Sequence, residues 1–162
     1  MAESLIVKTI RDGTLAILDG SDATIYTVAY ENGDFNLTIP GKVTNAFLDR
    51  NSFGSTPSVR FGADQPMTGT FSAHFRDVYD ATYNTLIGLA CDQVITGTGT
   101  LGATGEVKLW KMKWTIEGTD HNDSADHTIT CSHCRFTVAL TDGDPNNIAM
   151  SFTSYQVYPT LT

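Results

Sequence analysis

Cys131-Ser132-His133-Cys134 places two thiols and an imidazole within four positions, with His121 and His127 a short way upstream. Zinc sites use such C-x2-C pairs together with histidines. On a regular strand, however, side chains three apart point to opposite faces, so Cys131 and Cys134 diverge unless a bulge intervenes. No second C-x2-C stands at the usual spacing, so the stretch reads as a strand with one buried and one exposed thiol, and no metal is assigned. Asp120-His121-Asn122-Asp123-Ser124-Ala125-Asp126 offers oxygen ligands at alternate positions, as a calcium loop does. Ala125 stands where an EF-hand needs Gly and Cys131 where it needs Glu, which leaves a solvated acidic turn. Gly97-Thr98-Gly99-Thr100-Leu101-Gly102 matches the G-x-G-x-x-G dinucleotide fingerprint, but an alternating strand pattern follows it rather than a helix, so it reads as a flexible hairpin loop. The four histidines, His74, His121, His127 and His133, accompany no G-x-S-x-G elbow, H-E-x-x-H pair or P-loop. The expectation is a protein that is not an enzyme and carries no cofactor.

Composition points the same way. The 162 residues include 10 Lys+Arg against 18 Asp+Glu, a net charge of −8. With 41% hydrophobic and 17% charged residues, the chain lacks the signature of disorder and has enough apolar mass for one core. Net acidity disfavours tight binding to nucleic-acid phosphate, which depends on Lys and Arg displacing counterions. The opening Met1 to Lys8 carries Glu3 where a signal peptide needs positive charge, and no apolar run approaches the ~18 residues of a spanning helix. Three cysteines form no disulfide framework and fit a reducing compartment.

Positioning falls to strands. Met67 to Arg76 alternates Met67, Gly69, Phe71, Ala73 and Phe75 with Thr68, Thr70, Ser72, His74 and Arg76, the pattern of a half-buried strand. Glu106 to Glu117 alternates Trp110, Met112, Trp114 and Ile116 with Lys111, Lys113 and Thr115, which puts the lysines on the wet side. Thr128 to Leu140 and Ile148 to Tyr158 flank a segment dense in turn formers, Thr141 to Asn147, and read as an antiparallel hairpin. At the front, Leu5–Ile10, Thr14–Leu18, Ala23–Tyr30 and Asp34–Ile39 are short strands, with Asp-Gly turns at Asp12-Gly13 and Asp19-Gly20. Only about 77–90 reads as helix, with Asp77 or Asp80 as its cap. Pro40 to Gln65 and Gly97 to Gly105 read as long loops, and loops beyond ~12–15 residues in a compact domain are usually functional or ordered by a partner. The sum is a single mainly β domain, an antiparallel sandwich or barrel with one flanking helix.

Several stretches resemble a phage family. Leu5 to Leu15 and Val28 to Phe35 resemble the start of tail tube (major tail) proteins of long, non-contractile tailed bacteriophages. Leu48-Asp49-Arg50, Thr56-Pro57-Ser58 and Gln65 to Phe71 resemble the family's central segment, and Asp120-His121, Ser124 to His127, Asp144-Pro145-Asn146 and Ser151 to Tyr155 its last part. Cys131 to Cys134 departs from that pattern. The resemblance implies a tail-tube-like β-sandwich whose copies form hexameric rings, with inner strands joined in one barrel and rings stacked into a tube. It also implies a place in the virion tail, assembly in the host cytoplasm, and tape-measure, tail terminator and distal tail proteins as partners. Double-stranded DNA would pass without sticking, because an acidic bore repels phosphate over about a Debye length of ~8 Å. Asp12, Asp19, Asp22 and Asp34, beside strand turns, are then the candidates for lining the bore. Asp49, Arg50, Phe53, Pro57 and Arg60 are the candidates for contacts between subunits in the long loop at about 40–65. The reading from a different class is a β-sandwich carbohydrate- or receptor-binding module of a virion, with Tyr26, Tyr30, Tyr79, Tyr83 and Tyr158 as pieces of an aromatic site.

Overall fold

The structure, a computed structural model, describes residues 13–28, 35–47, 58–74, 81–82, 84–94, 107–119, 123–142 and 147–162, and for 43–47, 58–60 and 74 the backbone alone. It is mainly β. The strands in chain order are β1 (Thr14–Leu18), β2 (Thr24–Val28), β3 (Asn36–Thr38), β4 (Lys42–Phe47), β5 (Ser58–Asp64), β6 (Met67–His74), β7 (Trp110–Ile116), β8 (His127–Thr141), β9 (Asn147–Ser154) and β10 (Thr160–Leu161). One short helix, α1 (Leu86–Ala90), falls between β6 and β7.

Eight strands form one antiparallel sheet in the order β2-β1-β7-β8-β9-β6-β3, with β10 added to β8. The expected β8–β9 hairpin is present, in register from Cys134 opposite Ser154 to Thr141 opposite Asn147. Period-two alternation decides which face is buried: Phe71, Met150 and Val138 lie side by side across three strands, as do Leu15 and Trp114 across two. On that face Leu15, Ile17, Met67, Phe71, Trp110, Met112, Phe136, Ile148, Met150 and Phe152 make the core. The sheet rolls over this core, because Phe35, next to the edge strand β3, lies 4.9 Å from the Trp114 ring on β7 and 6.3 Å from Phe152 on β9. Close approach at β6 requires Gly69, where a Cβ would fall 2.4 Å from the Phe152 ring and 2.7 Å from the Asn36 carbonyl.

Three expectations are corrected. The helix is far shorter than 77–90 and its cap is Thr85, whose hydroxyl accepts from the Gly88 amide at 3.1 Å; Asp77 and Asp80 lie outside the described residues. It ends where Asp92 takes φ +59° and the Gln93 amide reaches back to the Gly88 carbonyl. Second, Pro40 to Gln65 is not one loop: β4 and β5 pair from Phe47 opposite Ser58 to Lys42 opposite Asp64, as a two-stranded sheet of their own. Turn formers concentrated at 51–57 make the whole stretch look irregular, whereas Ser58 to Asp64 itself alternates. Third, the last strand stops at Ser154 rather than Tyr158, and after a short bend β10 joins the same edge of β8 that β9 has left. The expected strand Leu5–Ile10 and the Gly97 to Gly102 loop lie outside the described residues.

Candidate functional site

Among the polar features of the described chain are its charged turns and the root of the β4–β5 hairpin. Between β1 and β2, the Asp19 carboxylate accepts from the Ser21 and Ala23 amides, both at 2.8 Å, and is 5% exposed. Asp22 takes φ +66°, a conformation that Asp tolerates better than most side chains, and lies 2.7 Å from the Lys111 ammonium, which also donates to the Gly20 carbonyl. Asp19 is thus spent on shaping the turn, and Asp22 shares its field with a cation on β7. Asp12 and Asp34 lie outside the described residues, as do Asp49, Arg50, Phe53 and Pro57; Arg60 is placed by its backbone on β5, opposite Asn45. Sequence reasoning did not find Lys111 as the partner of Asp22, because the two are far apart in the chain and meet only through β1–β7 pairing.

The acidic turn before β8 is likewise committed to its own backbone. Asp126 accepts from the Gly118 and Thr119 amides at 3.0 and 3.3 Å, and these bonds hold its carboxyl below the usual carboxylate range. Asp123 faces His127 at 3.0 Å. Gly118 admits no side chain here, since a Cβ would lie 2.3 Å from the Ala125 carbonyl.

The thiols differ from expectation, for both Cys131 and Cys134 are buried. Trp110 pairs with Cys134 and Met112 with Cys131, so two steps on β7 face three on β8, and His133 at φ +56° takes up the extra residue. This bulge returns both thiols to the core side. Its backbone is satisfied from the end of β9: Gln156 Oε1 accepts from the Ser132 amide at 2.9 Å, Ser154 Oγ donates to the Ser132 carbonyl at 2.6 Å, and the Tyr155 amide donates to His133. Burial pushes the Cys131 thiol up to about 11, and burial with Cys131 alongside pushes Cys134 up to about 12. Among the described residues no group of three or more His, Cys, Asp or Glu is placed to hold a metal ion.

Two shallow hollows mark the described surface. One of about 220 Å³ on the outer face of β6, β9 and β8 is lined by Thr70, Ser72, Thr137, Ala139, Ala149 and Ser151 among others, with no titratable side chain. The other, about 140 Å³, lies between Asp64-Gln65-Pro66 and Tyr155-Gln156-Val157. Both fall below the ~300–1,000 Å³ of small-molecule pockets. Beside the second hollow stands the hairpin root, where Lys42 pairs with Asp64 at 3.8 Å and lies over the Phe61 ring at 5.7 Å. A Cβ on Gly41, itself at φ +65°, would touch the Tyr158 ring. Ile39, Phe61, Tyr155 and Tyr158 are all exposed at this place. Of these, only Tyr158 was singled out from the sequence; the others belong to segments that meet only in the fold. No helix among the described residues is long and apolar enough to cross a membrane.

No protein-family model matches the chain, and no curated protein matches it in sequence. In three dimensions it is similar to a chain of the PVC sheath–tube complex of an extracellular contractile injection system in the extended state. The TM-score is 0.60 at 8% identity, over 98% of this chain and 93% of that one. It is also similar to a chain of the PVC sheath/tube terminator, at TM-score 0.58 and 9% identity over 99% of both chains. The tube-terminating cap of the anti-feeding prophage gives 0.54 and 11% identity, over 100% of this chain and 94% of that one. The chain therefore has a phage-tail-like tube and terminator fold. The solved structures come from contractile systems, and the likeness is one of fold, not one that singles out the tube of a non-contractile tail.

Proposed function

We propose that this chain is a structural tail tube protein, not an enzyme, whose copies assemble into hexameric rings stacked as the tube of a non-contractile phage tail. The observation that carries the reading is the fold match across 98% of the chain to a component of a sheath–tube complex. The non-contractile assignment rests on the stretches from Leu5 to Leu15, Val28 to Phe35 and Gln65 to Phe71 described above. Tape-measure, terminator and distal tail proteins are its partners in the virion tail, after assembly in the host cytoplasm. Double-stranded DNA passes through without being held, since 18 acids against 10 bases give the wall a net negative field. Negative-stain microscopy over a concentration series, with light scattering on the same samples, tests this. Hollow tubes or stacked rings are expected, and a monomer at every concentration, alone and with the tail partners, would overturn it.

One observation favours a second reading, a carbohydrate-binding module: Tyr155 borders the hollow of about 140 Å³ with Asp64 and Gln65, the pairing of ring and polar groups that sugars stack on. A glycan array with the monomer separates the two readings.

A further inference from the structure

We propose that Cys131 and Cys134 are a redox pair, closed into a disulfide within β8 by exchange with a low-molecular-weight disulfide and reopened by a thiol. On a regular strand, residues three apart stand ~10 Å from one another and face opposite ways, beyond the ~4.4–6.8 Å between the Cα atoms of a bridged pair. The bulge removes both obstacles. Cys134 opposes Trp110 and Cys131 opposes Met112, two steps apart on β7, so the pair spans about two strand steps, ~6.6 Å, toward the long end of that range. Both side chains lie on the core side, Cys131 at 1% and Cys134 at 0% exposure. The Cys134 side chain also leans back along β8: its Sγ lies 3.3 Å from the Cys131 carbonyl oxygen and 3.8 Å from that of Ser132. Beyond its burial, Cys134 is raised further by the charge of Cys131, as neighbouring sulfurs require. Among the described residues no third His, Cys, Asp or Glu joins them as a metal ligand, which leaves each thiol the other as its reactive partner.

The exchange balances with no other reactant. One cysteine, as thiolate, attacks a sulfur of the small disulfide, whose S–S bond breaks and releases one small thiol; the second cysteine then attacks the protein sulfur of that mixed disulfide and expels the other. Two cysteines are oxidised, one small disulfide is reduced, and the two protons leave on the two small thiols. Access sets the rate, because both thiols are buried in the native fold. The bulge is tied to the chain leaving β9, where Ser154 donates to the Ser132 carbonyl, Gln156 accepts from the Ser132 amide and the Tyr155 amide donates to the His133 carbonyl. Loosening these ties frees β8 locally, so closure is slow in the parent protein and faster where a tie is removed. Once formed, the bridge joins the two ends of the bulge and pins the β7–β8 register. A chain made in a reducing cytoplasm and carried out in a virion, as proposed above, passes into the compartment where disulfides persist. The chemistry itself does not rest on that reading.

The test uses the full chain as C91S, which removes the exposed thiol that would itself trap a small disulfide. This protein is equilibrated with oxidised and reduced glutathione at a series of ratios, once folded and once in denaturant, then quenched in acid and weighed by intact mass spectrometry. Equilibrium in the fold is approached from both sides, by oxidising the folded chain and by refolding the oxidised one. The expected product has lost two hydrogens and holds no glutathione, with fragmentation placing the bridge between Cys131 and Cys134. Closure should be favoured at least about tenfold more in the fold than in denaturant, which by linkage makes the bridged protein about 1.4 kcal/mol more stable and raises its melting temperature. Q156A, which removes one tie to the bulge and no sulfur, should reach the same product severalfold faster while its circular dichroism matches the parent's. Closure no more favourable in the fold than in denaturant overturns the pair, as does a folded product that keeps glutathione or a bridged chain that fails to refold or melts below the reduced one. An unchanged rate in Q156A overturns the part given to the chain after β9.

Discussion

Cys131 and Cys134 show how much one inserted residue changes chemistry. Without the bulge, one thiol would face water; with it, both are buried and their pKa values rise to about 11 and about 12 from an ordinary value of 9.0. An acid whose pKa is raised by folding stabilises the native state fully below its unfolded pKa and loses that contribution as pH climbs through the folded one. Stability should therefore fall between about pH 9 and 12, and C131A/C134A should flatten that limb of a pH–melting profile. At pH 8 a thiol reagent should label Cys91, which is exposed, and reach Cys131 and Cys134 only after denaturation. Fast labelling of three thiols in the native protein would contradict this burial. Asp126 works in the opposite sense: its lowered pKa adds stability above the unfolded value of 3.8, which is lost as pH falls through the folded value. Trp110 is fully buried with an indole N–H that meets no acceptor, so Trp110→Phe should cost much less than the ~3–5 kcal/mol of Trp110→Ala, measured by denaturant unfolding.

Elements hold their places through contacts that local propensity does not encode. The five residues of α1 are too few to be stable alone. Thr85 caps the start, Leu86 and Leu89 enter the core, and Arg135 of β8 grips the end by pairing with Asp92 and donating to the Ala90 carbonyl at 3.1 Å. Thr85→Ala should cost about 1 kcal/mol by loss of the cap. Gly69 and Gly118 are set by close approach, one under the Phe152 ring and the other against the Ala125 carbonyl. Alanine at either should cost about 1–3 kcal/mol, with Gly69→Ala read out as loosened β3–β6 amide protection in hydrogen exchange. Protection unchanged by Gly69→Ala would mean that the Phe152 ring yields freely.

At the scale of the whole molecule, net charge bears on the proposed assembly. Copies carrying −8 repel across solvent, over about 30 Å at ~0.01 M salt but only about 8 Å at ~0.15 M. If the chain assembles as proposed, the protein concentration at which tubes form should therefore fall as salt rises through that range, as light scattering would report. Assembled tubes should leave a double-stranded DNA fragment unshifted on a gel at the same salts, because the chain has too few basic side chains to displace many counterions. A salt-sensitive shift would argue against an acidic, non-binding wall.

The polar–apolar alternation of β6, β7, β8 and β9, the hairpin joining the last two and the strand Thr14–Leu18 were legible in the sequence, because strand periodicity depends only on which face each side chain takes. Net acidity was legible as well, because it belongs to the chain and not to its folding. What tertiary structure alone decided were relations between distant segments. The register of β7 against β8 sent both thiols inward, the β1–β7 pairing brought Lys111 to Asp22, and the chain bend after β9 set Tyr155 and Tyr158 beside the β4–β5 root. Each depends on which backbone edges pair, and pairing is settled by the packing of the whole sheet rather than by any stretch of sequence read alone.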